Sequence, residues 1–203
     1  MEYLVTMTTH VPDGTPDGTV ADIRNREGAR SRELAAEGHL LRLWRPPLQP
    51  GEWRTFGLFA SADRDQLEDV LASMPLRLWR TDEVTELSPH PNDPKTDTTA
   101  SAAGVEFLVT FTLMVPKGTA VETVKDTKAR EGRRASELAS EGHLGRLWVL
   151  PGEGRALSLW KAGDEAEMQS ILESLPLNAW MMEEVILLSV HPSDPALVHR
   201  RSR

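Results

Sequence analysis

Residues 26–44 read REGARSRELAAEGHLLRLW, and residues 130–148 read REGRRASELASEGHLGRLW. These two stretches decide the fold. Arg26-Glu27-Gly28 returns as Arg130-Glu131-Gly132, Glu37-Gly38-His39-Leu40 as Glu141-Gly142-His143-Leu144, and Arg42-Leu43-Trp44 as Arg146-Leu147-Trp148, all at an offset of 104. Beyond Trp148 the offset falls to 101: Pro75-Leu76 matches Pro176-Leu177, and His90-Pro91 matches His191-Pro192. The second copy is therefore three residues shorter somewhere between Trp148 and Trp160, and a stretch that tolerates deletion reads as a hairpin loop. A period near 100 residues is a domain duplication, not a solenoid unit. The first copy spans 1–93 and the second 105–195. Residues 94–104, rich in Asp, Thr, Ser and Ala without apolar period, read as a linker, and 196–203 as a tail.

Within each copy the pattern predicts an α+β fold of ferredoxin-like βαββαβ order. Tyr3–Thr9 alternates as a strand. Thr19–Glu37 carries helical spacing and stops at Gly38. His39–Arg45 and Trp53–Ala60 read as strands joined by a Pro-rich loop. Ser61 is placed to cap a helix over Ala62–Ser73, and Leu76–Leu87 reads as the last strand. A four-stranded sheet with both helices on one face leaves its other face bare. Burial against the second copy is the expected remedy, as an intramolecular pseudo-dimer of the dimeric α+β barrel kind.

Composition narrows the function classes. The chain has 203 residues, 39% hydrophobic and 27% charged, with a formal net charge of −8. An acidic surface repels phosphate backbones and argues against nucleic acid. The absence of cysteine excludes disulfides, thiolate nucleophiles and zinc–sulfur sites. No apolar run approaches the roughly 20 residues that span a bilayer, and no basic-then-apolar leader opens the chain, so the cytoplasm is the expected location. No glycine-rich phosphate loop or serine–histidine–acid set is present, histidines are few, and neither a metal nor any other cofactor is expected.

The most informative residue is Glu27, with Glu131 as its repeat. Val20, Ile23, Glu27 and Leu34 recur at helical spacing, as do Val124, Glu131 and Leu138, which puts a carboxylate on an apolar stripe. Burial there is costly without a partner. Arg26 and Arg130 precede directly, and Arg30 and Arg134 follow at i+3. Desolvation raises a carboxyl pKa and a nearby arginine lowers it, so such a glutamate can carry a proton near neutral pH. A structural ion pair explains the same spacing. Arg42 and Arg146 precede Leu-Trp in a strand and have the forked geometry that binds a carboxylate; a solvated strand position is the other reading. His90 and His191 read as packing or surface groups, and Trp44, Trp148, Trp79 and Trp180 as core or interface aromatics.

Val5-Thr6-Met7 with Val11-Pro12, the helix with Arg26-Glu27 and Arg32-Glu33-Leu34, the strand from Gly38 to Leu43-Trp44, Gly51-Glu52 with Phe56 and Leu58-Phe59, Leu71 with Pro75-Leu76, and Glu83-Val84-Thr85 with His90-Pro91 form an ordered set. The set resembles the muconolactone Δ-isomerases, and the second copy repeats nearly all of it, through Gly152-Glu153, Ser174-Leu175-Pro176-Leu177, Glu184-Val185 and His191-Pro192. The resemblance implies a cofactor-independent isomerase that shifts a proton along a small, acidic, unsaturated lactone through a dienolate. It also implies rings of dimers, and hence further association of this chain. It places the proton carrier on Glu27 and Glu131, with Arg26, Arg30, Arg42, Trp53, Thr55, Arg130, Arg134 and Arg146 as candidate substrate-binding residues. The pattern departs from the family where a Tyr and an Asn usually follow Gly-Glu: here stand Trp53 and Thr55, then Gly154 and Ala156. Arg42 and Arg146 replace the histidine usual before Leu-Trp. The first copy therefore keeps the better-equipped wall, and activity is expected to depend mainly on Glu27. A non-catalytic ligand-binding or assembly protein, a tailoring enzyme and a cofactor-free monooxygenase on the same fold are the alternatives.

Overall fold

The computed structural model describes residues 1–96 and 104–197. Most of the expected linker and the end of the expected tail thus lie outside the described residues. Each copy contains four strands and two α-helices in βαββαβ order: β1 (Glu2–Thr9), α1 (Asp17–Ala36), β2 (Leu40–Arg45), β3 (Arg54–Ala60), α2 (Arg64–Ala72) and β4 (Arg80–Pro89), then β5 (Val105–Leu113), α3 (Val121–Ser140), β6 (Leu144–Val149), β7 (Arg155–Ala162), α4 (Glu165–Glu173) and β8 (Met181–Val190). The α+β class and the tandem ferredoxin-like repeat are those expected from the sequence.

The chain divides into two compact units, and their boundaries differ from those of the sequence repeats. The first unit comprises Met1–Leu87 with the described residues from Ser189 on; the second is Ser88–Leu188. In the first, β1 lies between β3 and β4, with Val5 opposite both Gly57 and Val84. Strand β2 pairs with β3 on one edge, and its Trp44 and Arg45 meet Val190 and Ser189 on the other. In the second, β5 lies between β7 and β8, β6 pairs with β7, and Val149 and Trp148 meet Ser88 and Pro89. Each unit therefore takes in the segment that follows the other copy's last strand.

Local chemistry explains the elements. β1 alternates half-buried and buried residues along its whole length, the period-two pattern of a strand with one face in the core. Helix α1 ends because Gly38 adopts φ +79, which turns the chain so that the His39 N–H reaches the Leu34 carbonyl at 2.8 Å; Gly142 at φ +86 repeats the turn after α3. Tyr3, Val5, Leu34, Leu40, Phe59, Leu67 and Leu71 form the core of the first unit. Phe107, Val109, Leu138, Leu144, Trp160, Met168 and Leu172 form that of the second. The two cores are not copies. Gly57 in β3 is Ser158 in β7, where the hydroxyl bonds the Val109 carbonyl and accepts the Trp160 indole N–H. A Cβ at Gly57 would lie 2.4 Å from the Phe59 ring and 2.9 Å from the Met7 methyl. The β2–β3 loop runs over 46–53 and the β6–β7 loop over 150–154, which locates the three-residue deletion in a hairpin.

Two sequence expectations are corrected. The α2 cap is Asp63, whose carboxylate accepts the Gln66 N–H, while Ser61 bonds the Asp63 carbonyl. The last strand starts at Arg80, because Pro75–Trp79 forms a 3-10 turn with Pro75 at its start. That turn matters for the site: it presents the Leu76 N–H to α1.

Candidate active site

A cavity of 380 Å³ opens in the first unit between α1, the strand ends and the segment after β8. Glu27 lies in its wall. Its position on α1 follows from the helical period, since Ile23, Glu27, Ser31 and Leu34 are the buried residues of that helix. One carboxylate oxygen accepts the Leu76 N–H at 2.8 Å, and the other accepts from the Arg80 guanidinium at 3.1 Å. Arg80 is itself clamped by Asp82 at 2.6 and 3.1 Å, and Arg77 bonds Asp82 from the other side. Burial is the largest influence on Glu27 and raises its pKa above the ordinary carboxylate value. The Leu76 amide and Arg80 pull it down, and Asp82 pushes it up. The result is a desolvated carboxyl held by two donors, suited to accept and return a proton.

The rest of the wall is cationic and polar. Arg24, one turn before Glu27 on α1, stacks on Trp53 at 5.2 Å from the ring centroid. Arg45, Thr9, Thr55 and His191 also line the cavity. Burial, helped by Arg45 and Arg24, lowers the His191 pKa to about 4, so its ring is neutral at pH 7. Its Nδ1 accepts the Ser193 N–H at 3.1 Å, which leaves the hydrogen on Nε2. The segment after β8 packs on α1 beside Gly28, where a Cβ would sit 3.5 Å from the Ser193 hydroxyl, an ordinary contact distance.

Of the ten residues singled out from the sequence, Glu27, Trp53 and Thr55 meet in this cavity, and Glu131 lines a second one. The arginines fall elsewhere. Arg26 and Arg130 are spent on Asp22 and Asp126 one turn back, because a residue beside the buried glutamate points about 100° away around the helix. Arg30 bonds Glu33, Glu37 and Ser73, and Arg134 bonds Glu137 and Ser174. Arg42 is not a solvated strand residue but a buried one, 1% exposed, stacked on Trp44 and held by Asp194 at 3.0–3.2 Å. Arg146 stands likewise against Asp93 at 3.3 Å and over Trp148. Neither lines either of these two cavities; both anchor the exchanged segment to its unit. The residues missed were Arg24, Arg45, Arg80 and His191. Arg24 was legible, since i−3 shares a helix face with Glu27. Arg80 was not, being 53 residues away in sequence.

The second unit holds a cavity of 400 Å³ at the repeat-equivalent place. Glu131 accepts the Leu177 N–H at 2.9 Å, and burial raises its pKa. Its guanidinium is gone: the equivalent of Arg80 is Met181. No helix among the described residues is long and apolar enough to cross a membrane.

The family model for muconolactone delta-isomerase matches residues 1–93 and again 105–194. Similar proteins include the Muconolactone Delta-isomerase of Cupriavidus pinatubonensis, 33% identical over 92 residues, which are 45% of this chain and 97% of the relative. Muconolactone Delta-isomerase 1 of Acinetobacter lwoffii is 34% identical over 88 residues, 43% of this chain and 92% of the relative. Among solved structures, a chlorite dismutase mutant from Candidatus Nitrospira defluvii superposes with a TM-score of 0.62 at 10% identity, covering 97% of this chain and 94% of that one. A heme-binding protein from Thermus thermophilus gives 0.61 at 11%, covering 100% and 96%. At such identities these likenesses concern the fold alone.

Proposed function

The chain belongs to the muconolactone delta-isomerase family, and from that premise we propose that its first cavity moves a proton within a small, anionic, unsaturated lactone, with Glu27 as the carrier. The carrying observation is a desolvated carboxyl, raised in pKa, lining one cavity with Arg24, Arg45 and neutral His191. The ionised Glu27 takes a proton from the γ-carbon of the lactone. The electron pair spreads through the ring double bond onto the carbonyl oxygen as a dienolate, and Glu27 returns the same proton to the α-carbon. The double bond shifts by one position and nothing is consumed. Burial makes the carboxylate a stronger base, while the Leu76 amide and Arg80 keep enough of it ionised.

Two tasks remain for the wall. A substrate carboxylate is met by Arg24 and Arg45, whose planar guanidinium groups suit it. The dienolate oxygen needs donors aimed at it, and His191 Nε2–H and the hydroxyls of Thr9 and Thr55 are the candidates. A neutral imidazole suits this task, because it supplies a hydrogen bond without losing its proton. The second cavity keeps His90 in the place of His191 and Lys128 in that of Arg24, but has no counterpart of Arg45, Arg80, Thr9 or Thr55, which supports the expected asymmetry.

The test compares Glu27→Gln with Glu131→Gln on muconolactone, followed by the change in ultraviolet absorbance. Glutamine keeps the shape and removes the base. The expected loss of kcat/KM is about 10²- to 10⁴-fold for Glu27→Gln and less than about threefold for Glu131→Gln. Equal losses, no loss from Glu27→Gln, or a wild-type chain inert toward muconolactone would refute the assignment.

A further inference from the structure

The second cavity keeps the size of the first and is lined by more apolar groups. At equivalent positions Thr9 becomes Leu113, Arg45 becomes Val149, Thr55 becomes Ala156, Arg80 becomes Met181 and Met7 becomes Phe111. Each of these five removes a charge or a hydroxyl, or adds apolar surface, while Lys128 stands in the place of Arg24, His90 in that of His191, and Gly154 in that of Trp53. The space stays open, 400 Å³ against 380 Å³ in the first. Two cations remain in the lining, Lys128 in the place of the equally exposed Arg24, and the exposed Arg155; what is missing is a half-buried counterpart of Arg45 and a buried one of Arg80. Glu131 accepts the Leu177 N–H on one oxygen; the other has no hydrogen-bond partner among the described residues.

We propose that the second cavity is a binding site for an uncharged, largely apolar small molecule, such as a neutral lactone or cyclic ketone, whose carbonyl oxygen is met by Glu131. The apolar lining would leave an anionic ligand's carboxylate without a buried partner, and that desolvation goes uncompensated. The same lining favours an apolar ring. With no arginine beside it, Glu131 is raised in pKa by burial and opposed only by the Leu177 amide. Burial therefore favours its protonated form relative to an exposed glutamate, and that form has the O–H that a ligand carbonyl accepts. The first unit selects for charge and the second against it. Glu131 is a binding residue in this reading, and the inference stands whether or not Glu27 performs catalysis.

The experiment titrates 6-fluorocoumarin, an uncharged bicyclic lactone, against the full chain and follows the fluorine NMR line. Binding is expected in the wild type. Ala156→Trp, which fills the second cavity, should weaken it by at least about tenfold, a loss of about 1.4 kcal/mol. Val149→Arg, which places a charge in the same wall at a half-buried position, gives the same readout should the tryptophan variant fail to fold. Thr55→Trp, which fills the first cavity, should leave binding within about twofold, well under that 1.4 kcal/mol. In the Thr55→Trp chain, unlabelled coumarin should displace the probe at least about tenfold better than coumarin-3-carboxylate. Absence of binding at millimolar probe, loss with Thr55→Trp but not with Ala156→Trp or Val149→Arg, or equal displacement by the acid and the neutral lactone would each overturn the proposal.

Discussion

Replacing Arg80 by methionine installs in the first unit the residue that the second has at Met181, and the structure sets the size of the effect. Arg80 is 2% exposed in its side chain, Asp82 2% and Glu27 11%. Removing one partner of a buried pair costs about 3–5 kcal/mol when a charge is left behind. Here the low end applies, because Asp82 keeps Arg77 and Glu27 keeps the Leu76 amide and can protonate. We expect Arg80→Met to lose about 3 kcal/mol at pH 7.5 by urea denaturation. The pH dependence is the sharper readout. Glu27 already titrates above its ordinary value near 4.5 in the folded chain. Between the unfolded and folded values the folded state holds more protons, so stability falls as pH rises through that window. Removing Arg80 takes away two of the influences that lower the value and moves the upper edge of the window higher. Below it the penalty fades, so at pH 5 the cost should shrink by at least about 1 kcal/mol, the worth of less than one pKa unit. His191 also titrates in this range, but Arg80 is not among the groups that shift it, so its contribution cancels between variant and wild type. If activity is present, the acid limb of kcat/KM should move upward in the same variant. A cost below about 1 kcal/mol, or one that does not change with pH, would refute the view that Arg80 holds Glu27 ionised.

Three further outcomes are expected. Asp194→Ala should cost about 3–5 kcal/mol, because it strands Arg42 at 1% exposure and frees the segment that carries His191, whereas Arg42→Met with Asp194→Leu should recover much of that loss in a double-mutant cycle. His191→Gln should remove a pH dependence: with its folded value lowered to about 4, the neutral ring contributes stability that is present above pH 6.5 and lost as pH falls to 4, a change of up to about 3 kcal/mol in denaturation midpoints that the variant lacks. Gly57→Ala should cost about 1–3 kcal/mol in thermal or urea unfolding, since the added methyl meets the buried Phe59 ring, while Ser158→Ala at the equivalent place creates no such clash.

The sequence by itself determined the architecture of each copy, because that rests on local and periodic information. Repetition at offsets of 104 and 101, alternation in β1, helical spacing in α1 and the stop at Gly38 are all properties of neighbouring residues, and the position of the deletion followed from them. It also marked Glu27, since a carboxylate on an apolar stripe violates the pattern that its neighbours obey. It could not supply the carboxylate's partner. The guess of Arg26 or Arg30 assumed that a helix satisfies its own charges, and each of these instead found a carboxylate on the exposed face. Tertiary structure brought Arg80 from β4 and the Leu76 amide from a 3-10 turn that had read as strand. Tertiary structure likewise turned Arg42 from a candidate ligand for substrate into the anchor of Asp194, 152 residues away, and set His191 in the wall of the first unit. The physical reason is common to these cases. Desolvation and charge pairing depend on which groups share a buried volume. That is settled only when strands from distant parts of the chain pair and the segments beyond them pack.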